Sequence, residues 1–155
     1  FTWEDPMAIA GRAREMSGIE FLQALIDGAL PPPPIARMFG FTLDEVGEGR
    51  AVFSGMPAEY HYNPIGVVHA GLALTLLDSA LGCAVQTTLP AGVGYTTLET
   101  KGNMVRAITG DTGRIVCEAH VVHAGRKVAT SEARLTAADT GKLLAHGTST
   151  CLIVG

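Results

Sequence analysis

A chain of 155 residues, 47% hydrophobic and 17% charged, can bury roughly 68–70% of its unfolded surface in one domain and is too apolar for intrinsic disorder. Eleven Lys and Arg against fifteen Asp and Glu give a formal charge of −4, the wrong balance for a nucleic-acid partner. No apolar run approaches the 18 or so residues of a membrane span, and the N-terminus lacks the basic start and apolar core of a signal peptide. A cytoplasmic protein without a membrane partner is therefore expected.

Asp5-Pro6 is a helix start, with proline at the first helical position. Ser17-x-x-Glu20 is a better one, a capping box ahead of Phe21, Leu22, Leu25, Ile26 and Ala29 at helical spacing. Gly28 is placed to end that helix. The run Pro31 to Pro34 forbids its continuation and predicts a stiff extended spacer. Residues 1–34 therefore read as a helical arm with a proline spacer, and residues 35–155 as the main domain.

From Phe41 the pattern becomes that of strands. Phe41–Val46 and Arg50–Met56 flank the turn Gly47-Glu48-Gly49 and predict a hairpin. After a polar, aromatic loop (Glu59 to Pro64) comes an apolar run from about Ala70 to Thr88, too long for a strand. The last third holds four stretches, about Tyr95–Ala107, Gly113–His123, Lys127–Ala137 and Leu143–Val154, separated by glycine-bearing turns or loops. Ile115, Cys117, Ala119 and Val121 alternate with polar neighbours, as does the third stretch, the mark of an antiparallel sheet with one wet face. One long apolar helix among about six strands predicts an α+β fold: an antiparallel sheet curled around that helix, with an N-terminal helix outside.

Cys83, Cys117 and Cys151 are odd in number and widely spaced, giving neither a disulfide framework nor a C-x-x-C motif. His120 and His123 stand three apart in a strand, which predicts opposite faces and no shared metal. Gly92-x-Gly94 falls short of a dinucleotide fingerprint, and no Gly-x-Ser-x-Gly elbow occurs. Few charges with many apolar residues predict that part of the surface is covered in an oligomer.

Within residues 71–88, Thr75, Asp78, Ser79, Gly82 and Gln86 fall at i, i+3, i+4, i+7 and i+11, a narrow polar stripe on an otherwise apolar helix. Asp78 is thus expected in largely apolar surroundings, where desolvation is costly. A structural and a catalytic carboxylate are equally compatible with that position. The segment from Asn63 to Gly71 leads into the helix, whose first N–H groups lack intrahelical partners and can meet developing negative charge on a carbonyl oxygen. Ala70 and Asp78 are eight residues apart, about 12 Å along the axis, so one carbonyl cannot touch both from a single helix. A twofold-related, antiparallel helix would bring them together, which makes any enzyme using both at least a dimer.

Asn63, His69-Ala70-Gly71 and Asp78 in a Leu/Ala-rich helix resemble the hotdog-fold acyl-CoA thioesterases, in particular the phenylacetic-acid-degradation (PaaI-type) branch. The likeness runs from about Ser17 to Ile153 and includes Thr96-Thr97, His123-x-Gly125-Arg126-Lys127 and the closing strand. It implies a sheet wrapping a central helix, a dimer with one continuous sheet, usually a tetramer, and sites at the dimer interface. It also implies Asp78 as nucleophile or general base and the Ala70 N–H as polariser of the thioester carbonyl. Asn63 would hold the attacking water or the carboxylate, His69 would orient the loop or thioester, and Thr96 or Thr97 would assist the carboxylate. Gly71 in the same turn, and Thr96, are also candidates for binding the substrate. His123, Gly125, Arg126 and Lys127 are candidates for the coenzyme A end of the substrate. No metal or cofactor is implied, coenzyme A being part of the substrate. Ala70 departs from the family's usual His-Gly-Gly, keeping the N–H but adding a methyl group.

Without the family, Arg126-Lys127 is an ordinary solvated pair, His69 a helix cap, and Tyr60 and Tyr62 packing residues. The shape of an acyl pocket would depend on which of Leu74, Leu77, Leu81, Tyr60, Tyr62 and Met104 line it. Hydrolysis of an acyl- or aryl-CoA is the favoured function. A hydratase or dehydratase of acyl thioesters and a non-catalytic acyl-CoA binding module are the alternatives.

Overall fold

Three helices precede the first strand in the computed structural model, which describes residues 1–155. Helix α1 (Pro6–Glu15) starts where Asp5 accepts the Met7 N–H at 2.9 Å. Helix α2 (Gly18–Ile26) starts at a complete capping box, the Ser17 N–H donating to Glu20 at 3.0 Å and Ser17 Oγ accepting the Glu20 N–H. Helix α3 (Pro34–Phe39) corrects the expectation of a purely extended proline run. Pro33 is extended, but Pro34 occupies the first turn of a helix, where a missing N–H costs nothing.

Strands β1 (Phe41–Gly47) and β2 (Arg50–Gly55) form the expected hairpin. Helix α4 (Ala70–Gln86) follows, then β3 (Gly94–Met104), β4 (Ile115–Ala124), β5 (Val128–Ala137) and β6 (Leu143–Val154). All six strands pair antiparallel in one sheet ordered β1-β2-β4-β5-β6-β3, which leaves β1 and β3 at the edges. The expected boundaries shift by up to three residues. β3 stops at Met104 rather than Ala107, because the Val105 and Arg106 N–H groups both turn to the Leu144 carbonyl.

Helix α4 lies on the inner face of this curved sheet. Leu72, Leu76, Leu77, Ala80, Leu81 and Ala84 are fully buried, or nearly so, against Phe53, Ile115, Cys117, Leu135 and Ala145. Small residues make the close approach possible. Gly102 of β3 pairs directly with Gly147 of β6, and a side chain at Gly147 would collide with the Lys101 carbonyl and touch Leu77. The arm adds a second apolar cluster, in which Ile9, Phe21, Leu22 and Leu30 pack with Leu43, Val46 and Cys83.

The sheet carries several register shifts, and two of them, in β4 and β3, reverse the simple alternation of faces at residues of interest. In β4 the register shifts between Val121 and His123. His120 therefore lies opposite Glu132 and His123 opposite Thr130, both on the outer face. The expectation that the two histidines point to opposite faces does not hold. In β3 the shift lies between Thr97 and Glu99, so Thr97 opposite Cys151 and Thr100 opposite Ser149 both face inward.

Leu77→Ala should destabilise the fold by about 2–5 kcal/mol through lost contact and a cavity. Gly147→Ala should cost about 1–3 kcal/mol, because the backbone has to move to admit the methyl group. Thermal unfolding checks both, at roughly 2–4 °C of Tm per kcal/mol for a chain of this size. An unchanged Tm for Gly147→Ala would show that β3 gives way at the Lys101 carbonyl without cost.

Candidate active site

The side of α4 turned away from the sheet is a stripe only one or two side chains wide. Leu74 and Asp78 are exposed, while Gly71, Thr75, Ser79, Cys83 and Gln86 are half-buried. Gly82, which the sequence placed in the polar row, is instead buried: an added Cβ would come within 2.8 Å of the Tyr95 ring, so Tyr95 crosses the helix there. Asp78 corrects a second expectation. Within one chain its carboxylate is not enclosed by apolar groups but faces outward beside Leu74, Thr75, Ser79 and Thr100.

Two hydroxyls hold that carboxylate. Thr100 Oγ1 donates to Asp78 Oδ1 at 2.8 Å and Thr97 Oγ1 donates to the same oxygen at 3.3 Å. The second carboxylate oxygen makes no hydrogen bond to the protein and is free to act. Thr97 is the partner expected from the sequence. Thr100, the closer of the two, was not expected, since three residues normally separate opposite faces of a strand; the bulge at Leu98 undoes that rule. Thr96 pairs with Leu152 and stands on the outer face, away from Asp78.

At the other end of the stripe, His69 is the N-cap of α4, its Nδ1 accepting the Gly71 N–H at 2.8 Å. That bond makes Nδ1 an acceptor and leaves Nε2 to carry the proton of a neutral ring. Gly71 has to be glycine for this purpose, because an added Cβ would sit 2.8 Å from His69 Nδ1. Ala70, by contrast, is exposed and its N–H has no partner within the chain. The methyl group at Ala70 is therefore accommodated, and the first N–H of the helix stays available.

The loop before the helix is built to hold this end still. Asn63 Oδ1 accepts the N–H groups of Ile65 (3.1 Å) and Val67 (3.3 Å), and the Val68 N–H donates to the Ile108 carbonyl. The Asn63 side-chain amide makes no bond inside the chain. Asn63, His69 and Ala70 line one cavity of about 270 Å³, together with Met104 and Val105. The structure thus gathers Asn63, His69, Ala70 and Gly71 at the N-terminus of α4, and Asp78 with Thr97 at mid-helix, but does not bring the two groups together in one chain.

His123, Gly125, Arg126 and Lys127 form a third group, at the β4–β5 turn. The Ile153 N–H donates to the Lys127 carbonyl, and the neighbouring cluster of Ala129, Cys151 and Val85 fixes the turn at the C-terminal end of α4. Arg126 and Lys127 are exposed and make no ion pair. No cysteine offers a thiolate. Burial pushes the Cys83 and Cys117 thiols up to about 12, Asp78 adding to the effect at Cys83, and burial raises Cys151 as well.

The chain is similar in sequence and fold to known proteins. A family profile described as the Thioesterase superfamily matches residues 65–144, which span α4 through β5. Human acyl-coenzyme A thioesterase 13 is 33% identical over 115 residues, covering 74% of this chain and 81% of its own length. A conserved protein of Pseudomonas aeruginosa has a solved structure that superposes with a TM-score of 0.73 at 30% identity, covering 79% of this chain and 95% of that one. The phenylacetic acid degradation protein PaaI of Thermus thermophilus does so with a TM-score of 0.69 at 27% identity, covering 77% and 97%. The chain belongs to the thioesterase superfamily and shares the hotdog fold of its PaaI-like members.

Proposed function

We propose that the protein hydrolyses acyl- or aryl-CoA thioesters to the free acid and coenzyme A, without a metal or organic cofactor, as a cytoplasmic enzyme. The observation that carries this reading is the Asp78 carboxylate, anchored through one oxygen by Thr97 and Thr100 and exposed through the other. As a general base, that oxygen takes a proton from a water attacking the carbonyl carbon. The tetrahedral oxyanion collapses, the C–S bond breaks, and the proton passes to the departing thiolate. As a nucleophile, it bonds to the carbonyl carbon and expels the thiolate, leaving an anhydride that water then cleaves. In either case the oxyanion needs a donor, and the unpartnered Ala70 N–H at the positive end of α4 is suited to that role.

Those two groups lie about 12 Å apart along one helix, so the reading requires a second copy. Support comes from β3, an 11-residue edge strand. Its open backbone is flanked by exposed Leu74, Leu98, Met104 and Val105. Pairing of two β3 edges would continue the sheet and set two α4 helices antiparallel, with Asp78 of one near Ala70 of the other. We propose such a dimer as the catalytic unit and a tetramer as the assembly. Arg126 and Lys127 would then meet the phosphates of coenzyme A, and the free Asn63 amide would hold the attacking water.

Asp78→Asn should fold normally and lose at least a hundredfold in thiol release from a panel of CoA thioesters, whereas Thr100→Val should lose about tenfold, equivalent to ~1.4 kcal/mol. Activity of Asp78→Asn within threefold of wild type removes the assignment. Loss of enoyl-CoA absorbance without thiol release would instead identify a hydratase. Replacing Arg126 and Lys127 together by Ala should raise KM with little change in kcat, because remote phosphates are bound alike in ground and transition states. A KM that stays constant and insensitive to salt returns the pair to an ordinary solvated turn.

Shared sites make a further prediction. Asp78→Asn and Ala70→Pro, which lacks the N–H, should each be inactive, yet refolding the two together should restore activity. Each heterodimer then holds one site with both defects and one with neither. The Ala70→Pro variant has first to give a native circular dichroism spectrum. Inactive heterodimers of two folded variants would place both groups in one chain and overturn the mechanism.

A further inference from the structure

A separate cavity of about 430 Å³ lies on the other flank of the α4 stripe, between the helix and the N-terminal arm. Leu25 of α2, Pro32, Ile35 of α3 and Leu43 of β1 wall it, and Ser79 and Cys83 of α4 form its floor. None of its 16 lining residues carries a charge. Protein interiors leave few voids larger than a water molecule, whereas this volume is of the size that takes a small ligand. Ile35 and Ser79 also border the cleft that holds Asp78. The two spaces therefore share an edge, and the residue next to Ser79 is Asp78 itself.

The neighbours of α4 decide which part of a thioester could enter. On the β3 side stand Thr97 and Thr100, which hold the carboxylate. On the β1 side stands the arm, none of whose residues lining the cavity is a cation that could receive phosphates. The coenzyme A end of a thioester is polyanionic and would be desolvated there without a partner. The acyl end is apolar and would gain from burial in the same walls. We infer that this cavity receives the acyl or aryl group of the thioester, an uncharged hydrocarbon larger than acetyl, with the N-terminal arm as its roof. The inference rests on the hydrolase reading for the placement of the thioester carbonyl at Asp78. It gives the arm a part in substrate selection, although the whole arm precedes the stretch that matches the family profile.

Non-hydrolysable thioethers separate the two ideas. Calorimetric titration with S-methyl-, S-hexyl- and S-decyl-CoA should show wild type binding the decyl compound at least tenfold more tightly than the methyl one. Leu25→Trp, which fills the cavity, and Ile35→Trp, which blocks its mouth, should each cut that ratio at least fivefold. Ile35 is 45% exposed, so its variant avoids the overpacking that could unfold Leu25→Trp and decides the matter alone if the latter is insoluble. No gain in affinity with tail length, or a gain that the folded variants leave intact, overturns the assignment. Tail-dependent binding that these variants abolish, in a protein that releases no thiol from any thioester, upholds the cavity assignment and removes the hydrolase reading. Asp78-dependent thiol release from a protein whose tail preference the variants do not alter does the reverse.

Discussion

Helix α4 can be buried on nearly all sides only because the sheet curls around it and offers small residues where the two backbones come closest. Ala119, Ala133, Ala145 and the Gly102–Gly147 pair keep the sheet surface low, and Leu72, Leu76, Leu77 and Leu81 fill the space above it. The helix is thereby fixed in rotation as well as position. What remains open is a stripe whose members are set by the 3.6-residue period, and every polar group of catalytic interest on the helix falls on it. A rigid helix also fixes separation along its axis. The free N–H at Ala70 and the carboxylate at Asp78 stay about 12 Å apart whatever the loops do, so a reaction that used both would need two chains.

Local hydrogen bonds then give each group along the stripe a single job. His69 is committed to Gly71, and Asn63 Oδ1 to its own loop. Their remaining atoms, the Asn63 amide and the His69 Nε2, are left for a ligand. One oxygen of Asp78 is committed to two threonines, which orients the other. Such partial commitment pre-organises a site, because donors and acceptors already in place need little rearrangement as charge develops. The cysteines take no part. Burial keeps them protonated, and at Cys83 the thiol serves as a neutral wall.

The flanks of the stripe are unlike in chemistry. Toward β3 lie hydroxyls and an open strand edge, and toward β1 lies an uncharged cavity roofed by prolines and the first helices. A thioester is itself two-sided, polar and anionic at one end and apolar at the other. The fold thus offers different surroundings to the two halves of one molecule on either side of a single carboxylate.

Much of this architecture was legible in the sequence, because it rests on short-range patterns. The capping box at Ser17, the apolar period of residues 70–86 and the turns between strands each depend on neighbours a few residues away, so the α+β class and the stripe bearing Asp78 follow from them. The free N–H at Ala70 follows from the start of that helix, and the resemblance to a known family added Asn63, His69 and Thr97. Several features depend on contacts between distant segments and could not be read in this way. A bulge is an extra residue with no mark of its own, and at Leu98 and Val122 it inverts the faces, bringing Thr100 to Asp78 and His120 to the side of His123. The helix hidden in the proline run forms because Pro34 can open a helix that Ala36 anchors in the core. Leu77 and Leu81, candidates for an acyl pocket, are consumed by the sheet. The apolar cavity is bounded instead by an arm whose position is set by packing between segments some sixty residues apart, and a one-dimensional pattern carries no information about that distance.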